Sequence, residues 1–152
     1  MDPLSVAASV FGLLGAGAKI SSLLFTVVSS VRDAPNSAQN LLWEMTDIST
    51  ALSLLQAYLD GRTQPPSERG ALILLEHVLA TLTGCVTTYS DLQAVLNDLK
   101  LGPDMGAFDK IKWVRQESRI AAIVQRLQNH KSSLNLMLTI LQWQVPLRPA
   151  IG

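Results

Sequence analysis

A chain of 152 residues with 48 % apolar content is long enough for one domain with a sizeable core. Only 16 % of the residues are charged, against roughly 25 % in an ordinary soluble domain, and the twelve basic and twelve acidic side chains cancel. That balance excludes recruitment of nucleic acid or acidic substrates by a global field, and the single cysteine, Cys85, excludes an internal disulfide and fits a reducing compartment.

The first predicted element runs from Leu4 to Val31, within a segment taken as residues 1–31. Asp2 can cap it and Pro3 suits a first helical position. Gly12, Gly15 and Gly17 weaken it and predict a bend near 15–17. The acidic start Met1-Asp2-Pro3 does not read as a secretory signal. The second helix spans 36–60, with Asn36 and Gln39 in capping-box spacing. Its stripe is Leu41, Met45, Ile48, Leu52, Leu55 and Leu59, and Gly61 ends it. The third spans 67–100, capped by Ser67 after Pro65-Pro66. Its predicted stripe is Leu72, Leu75, Leu79, Leu82, Val86, Tyr89, Leu92, Leu96 and Leu99. A loop at 102–107 leads into 108–143, read as a helical turn over 108–114 and a long helix over 116–143. The stripe of that helix is Ile120, Val124, Leu127, Leu134, Leu138 and Leu141, with Lys131 interrupting. No stretch alternates with period two. The fold class is therefore all-α: one bundle of four to five helices over 1–144, packed up and down. A Pro-containing linker follows over 145–152, as expected of a domain within a longer protein.

Charge is segregated. Residues 41–109 carry three basic and nine acidic side chains, and 110–131 carry six basic and one acidic. The two stretches can face each other within the bundle, sit on solvated faces, or present cations to a partner or to lipid headgroups. Lys110, Lys112, Arg115 and Arg119 are the candidate headgroup contacts.

No chemistry suggests catalysis. His77 and His130 have no metal-ligand partner at helical spacing, and phosphate-cradling and nucleophile motifs are missing. No catalytic, metal or cofactor residue is nominated, and the chain is read as a non-enzyme. Cys85 reads as a small buried apolar residue, and Trp43, Trp113 and Trp143 as core or rim rather than a base-stacking platform.

Between Asp2 and Arg32 the only charge is Lys19, over 29 residues. As a helix that is about 43 Å, more than a bilayer core of about 30 Å requires. Thirteen Leu, Ile, Val and Phe residues favour insertion by about 0.3–0.6 kcal/mol each. Lys19 opposes it by roughly 2.5–3.5 kcal/mol, and the serines and glycines erode the remainder, so the sum lies near zero. Such a segment reads either as a core helix or as a conditional membrane element. Its insertion candidates are Leu4, Val6, Val10, Phe11, Leu13, Leu14, Ile20, Leu23, Leu24 and Phe25. Gly12 and Ala16 form a small-xxx-small pair for helix–helix contact.

The opening MDPLSVAASVFGLLGAGAKISSLL resembles the start of the HeLo-like family, the N-terminal domain of fungal STAND and NLR-like receptors. The stretch KWVRQESRIAAIVQRLQNHKSSLNLMLTIL resembles that family's closing helix. The resemblance implies a helical effector of regulated cell death, cytoplasmic at rest. It implies self-association on activation, through a neighbouring nucleotide-binding or amyloid-signalling receptor. Leu4 to Val31 would then insert and permeabilise the plasma membrane, with membrane lipids as partner and no cofactor or nucleic acid. Some members act only as soluble homotypic or receptor-docking modules, and that alternative stays open.

Overall fold

In a computed structural model, residues 3–60, 68–99 and 109–144 are described, with side chains over 5–60, 76–99 and 109–141. Among them are five helices and no strand: α1 (Pro3–Ser30), α2 (Asn36–Asp60), α3 (Glu68–Asp98), α4 (Lys110–Arg115) and α5 (Glu117–Gln144). The expected all-α bundle is what forms. The caps and terminators placed at Asp2, Gly61 and Ser67, the loop at 102–107 and the tail at 145–152 lie outside the described residues.

α1 is continuous through Gly12, Gly15 and Gly17. It reverses into α2 through a short turn in which Asp33 takes a left-handed φ of 58°, a conformation that aspartate tolerates better than most residues. The six-residue α4 starts where Asp109 accepts hydrogen bonds from the Ile111 and Lys112 backbone N–H groups, at 3.0 and 3.2 Å. Gln116 separates α4 from α5, its N–H donating to the Trp113 carbonyl at 2.9 Å.

The four long helices form a ring in the order α1, α2, α5, α3. Helices α2 and α3, consecutive in the chain, share no contact among the described residues and stand across the ring, with α5 between them. Short connections favour adjacency, but here charge selects the neighbour. Lys131 of α5 pairs with Glu44 and Asp47 of α2 at 2.9 and 3.2 Å. On its other side, Arg126 pairs with Asp91 of α3 at 2.6 Å and Arg119 with Asp98 at 3.6 Å. The acidic and basic stretches thus face each other. The exposed pairs contribute only about 0–1 kcal/mol each and the pair to largely buried Glu44 more, so together they favour this register and neighbour choice while the apolar core supplies most of the stability.

The α2 stripe is buried as expected, with Leu59 partly so. In α3 the buried line is Val78, Leu82, Cys85, Tyr89, Leu92, Val95 and Leu96. Leu79 is only partly covered and Val86 is 50 % exposed, so the inward face is turned from the predicted one. The same turn occurs in α5, where Ile123 and Met137 are buried and Val124 and Leu138 partly covered. Apolar residues on both sides of these stripes let the helix choose between neighbouring rows.

Candidate membrane-active helix and the surfaces around it

The position of α1 decides what its composition means. It packs on α2 and, less extensively, on α3, and it does not touch α5. It therefore occupies one corner of the ring and is not surrounded. Its inward stripe is Val6, Val10, Leu13, Gly17, Ile20, Leu24 and Val27, spaced alternately by four and three. The reverse side carries Phe11 and Phe25, 72 % and 62 % exposed, with Ala8, Gly15, Ala18, Ser22 and Ser29 and the exposed Lys19. Only 33 % of its most apolar window is buried. A helix is apolar all round when it is enclosed; α1 is enclosed on one face and leaves to solvent an almost uncharged face of small and hydroxyl residues with two phenylalanines. It is the one helix among the described residues long and apolar enough to cross a bilayer.

The ten insertion candidates divide along these faces. Val6, Val10, Leu13, Ile20 and Leu24 are core residues, and Leu14 and Leu23 are partly buried. Phe11 and Phe25 point to solvent. Leu4 belongs to α1, but its side chain lies outside the described residues.

Gly12 and Ala16 are both exposed and line a groove between α1 and α3 of about 420 Å³. Leu13, Ile20 and Tyr89 form its apolar floor, with Ser9, Ser90 and Gln93 among its polar lining. Among the described residues the buried Tyr89 hydroxyl has no hydrogen-bond partner. Burial pushes its pKa upward, and the nearby Cys85 adds to that shift. The α1–α3 seam is thus the loosest side of the ring.

At one end of the bundle, the fully buried Trp113 donates through Nε1 to Ser37 Oγ at 2.8 Å, and Ser37 donates to Glu117 Oε1 at 3.0 Å. This relay fastens α4 to the starts of α2 and α5. Trp43 is 57 % exposed, a rim position, and the Trp143 side chain lies outside the described residues. Of the headgroup candidates, Lys110, Lys112 and Arg115 lie exposed on α4, and Arg119 opens toward Asp98.

His130 lies between α5 and α3. Its Nε2 shares a 2.8 Å hydrogen bond with the hydroxyl of fully buried Thr88. The ring sits so close to Gly84 that a Cβ there would meet His130 Cε1 at 2.8 Å. Burial, then the Arg126 charge, lowers the imidazole pKa, and a hydrogen bond with the Gly84 backbone opposes them. Nothing in sequence spacing linked these residues. His77 is exposed. Cys85 is buried, which pushes its thiol up to about 12. Among the described residues no group of three or more His, Cys, Asp or Glu is placed to hold a metal ion.

The fold defines a class, an all-α helical bundle domain whose first helix is, by length and composition, apolar enough to cross a bilayer. A family model described as Pigment biosynthesis cluster protein PigL N-terminal matches residues 1–145, and the chain belongs to that family. No curated protein and no solved structure matches the chain.

Proposed function

We propose that this domain is a conditional membrane effector of the HeLo-like kind, serving regulated cell death or immunity. It oligomerises on activation and inserts α1 to permeabilise membrane. The observation that supports this is the almost uncharged outward face of α1, with Phe11 and Phe25 in solvent. The bundle needs only the Val6–Val27 stripe for its core, yet the outward side carries two phenylalanines and a single charge, Lys19. A helix that only closed a soluble bundle would gain solubility from charges on that side.

Exposure also selects the test. Leu13 is 4 % exposed, so an acid there disrupts the core. Phe11→Glu with Phe25→Glu leaves the core alone, while each carboxylate opposes insertion by up to about 3 kcal/mol. The wild-type domain, brought together by a fused inducible dimeriser, is expected to release dye from vesicles. The double variant is expected to fold equally well by circular dichroism and release little. No release from forcibly assembled wild type, or equal release from both proteins, defeats the proposal.

A soluble homotypic or receptor-docking module is the second reading, favoured by the open α1–α3 groove. Its signature is partner-dependent protection of α1 amides from hydrogen exchange, without dye release.

A further inference from the structure

The basic stretch 110–131 holds six cations. Three are matched within the bundle: Arg119 by Asp98, Arg126 by Asp91, and Lys131 by Glu44 and Asp47. The other three, Lys110, Lys112 and Arg115, all lie on α4, and none forms an ion pair among the described residues. The same short helix leaves Ile111 67 % and Val114 56 % exposed, while Trp113 is wholly buried. At 100° per residue, Ile111, Val114 and Arg115 lie on the side away from Trp113, and Lys110 and Lys112 flank them. Among the described residues the nearby acids are occupied. Asp109 caps the helix, and Glu117 accepts from Ser37. Exposed Arg32 and Asp33, in the α1–α2 turn at this end, cancel.

We propose that the outward face of α4 is a docking surface for an anionic lipid bilayer, used by the folded bundle while α1 is still in place. An aliphatic centre between cations matches a lipid interface: Ile111 and Val114 enter the acyl boundary, and the cations meet phosphates and anionic headgroups. A nucleic acid or an acidic polypeptide would use the charges and leave both aliphatic side chains in water. Trp113, held by Ser37 and the core, makes the face rigid, so little ordering is required on binding. This end of the bundle also holds the α1–α2 turn, so docking brings the hinge of α1 to the lipid. The purpose of the surface rests on the membrane reading above, but its binding is measurable without insertion.

The test is flotation of the unassembled protein with phosphatidylserine-containing vesicles and with pure phosphatidylcholine vesicles. Wild type is expected to favour the anionic vesicles, with binding that weakens as salt rises. The variant Lys110→Gln/Lys112→Gln/Arg115→Gln is expected to bind on the order of a hundredfold more weakly. Ile111→Ser/Val114→Ser is expected to bind more weakly and keep the salt dependence. Phe11→Glu/Phe25→Glu is expected to dock as wild type does. All substituted side chains are exposed, and circular dichroism confirms each fold. The proposal is overturned if the triple variant binds like wild type, or if anionic lipid is not preferred. It is equally overturned if the Ile111/Val114 variant binds vesicles unchanged, which assigns the cations to a polyanion instead. Docking by wild type with no dye release under forced assembly defeats the effector reading and leaves this surface standing.

Discussion

Replacing Gly84 with alanine is expected to destabilise the domain, although the same change elsewhere in its helices is expected to stabilise it. Glycine in a helix interior costs up to about 1 kcal/mol relative to alanine, so the change begins with that gain. At Gly12 and Gly15 a new Cβ meets nothing within 4 Å. Gly12→Ala should keep the gain, about 0.5–1 kcal/mol, or about 1–4 °C in Tm for a domain of this size. At Gly84 the Cβ would lie 2.8 Å from His130 Cε1, an atom of a rigid ring. The ring must move, at an overpacking cost of about 1–3 kcal/mol. Moving it also strains the bond that satisfies buried Thr88, worth about 1–3 kcal/mol when lost. The net loss is about 2 kcal/mol, a fall in Tm of roughly 4–8 °C. Urea and thermal denaturation of the two single variants measure both signs. In a His130→Ala background the obstacle is gone, and Gly84→Ala should become stabilising, a coupling that a double-mutant cycle resolves. A rise in Tm for Gly84→Ala in the wild-type background refutes the close approach.

Three further outcomes follow from other contacts. Because His130 holds its proton less tightly in the fold than in the unfolded chain, the unfolded state binds more protons below about pH 6.5, and stability should fall as pH drops through that region; urea midpoints across pH 5–8 should show the slope, and His130→Gln should flatten it. Lys131→Ala removes the cation over Glu44, whose side chain is only 11 % exposed, and should cost about 1–2 kcal/mol, read as a lower denaturation midpoint; an unchanged midpoint contradicts the pairing. Cys85, buried and with its thiol raised to about 12, should resist iodoacetamide in the folded protein and react on unfolding, whereas labelling at the rate of an exposed thiol would place it outside the core.

Helix positions and fold class were legible because prolines and three-four periodicity mark them without any knowledge of neighbours. The inward row of α3 was less so. Val78, Leu79, Cys85 and Val86 are all apolar, and only packing against α5 decides that Val78 and Cys85 turn in. Charge segregation was legible, and acidic against basic within the bundle, one of the three arrangements it allowed, is the one that α5 makes. The segregation did not say that the acidic partners sit on two different helices, since connection length alone favours pairing α2 with α3. His130 and Gly84 are 46 positions apart, and their contact is a tertiary fact with no local signal. On α4, the sequence marked the cations, but not that Trp113 would turn inward and leave Ile111 and Val114 between them.

The two faces of α1 bear on how the proposed switch could work. Burying Val6, Val10, Leu13, Ile20, Leu24 and Val27 contributes about 1.5–3 kcal/mol per side chain, on the order of 10 kcal/mol together. Stripping α1 into water forfeits all of it, so a monomer in solution holds the helix in place. A bilayer returns about 0.3–0.6 kcal/mol for each of these side chains and adds Phe11 and Phe25, which the bundle leaves in water. Lys19 takes much of that gain back. It is exposed at rest, where it costs nothing, and opposes insertion by roughly 2.5–3.5 kcal/mol. One chain alone therefore favours the bundle by about the contribution of the buried stripe, and contacts between assembled copies must supply the difference. On this argument Lys19→Leu should release dye at a lower degree of forced assembly than wild type requires, and a variant no more active than wild type would show that Lys19 is not the restraint.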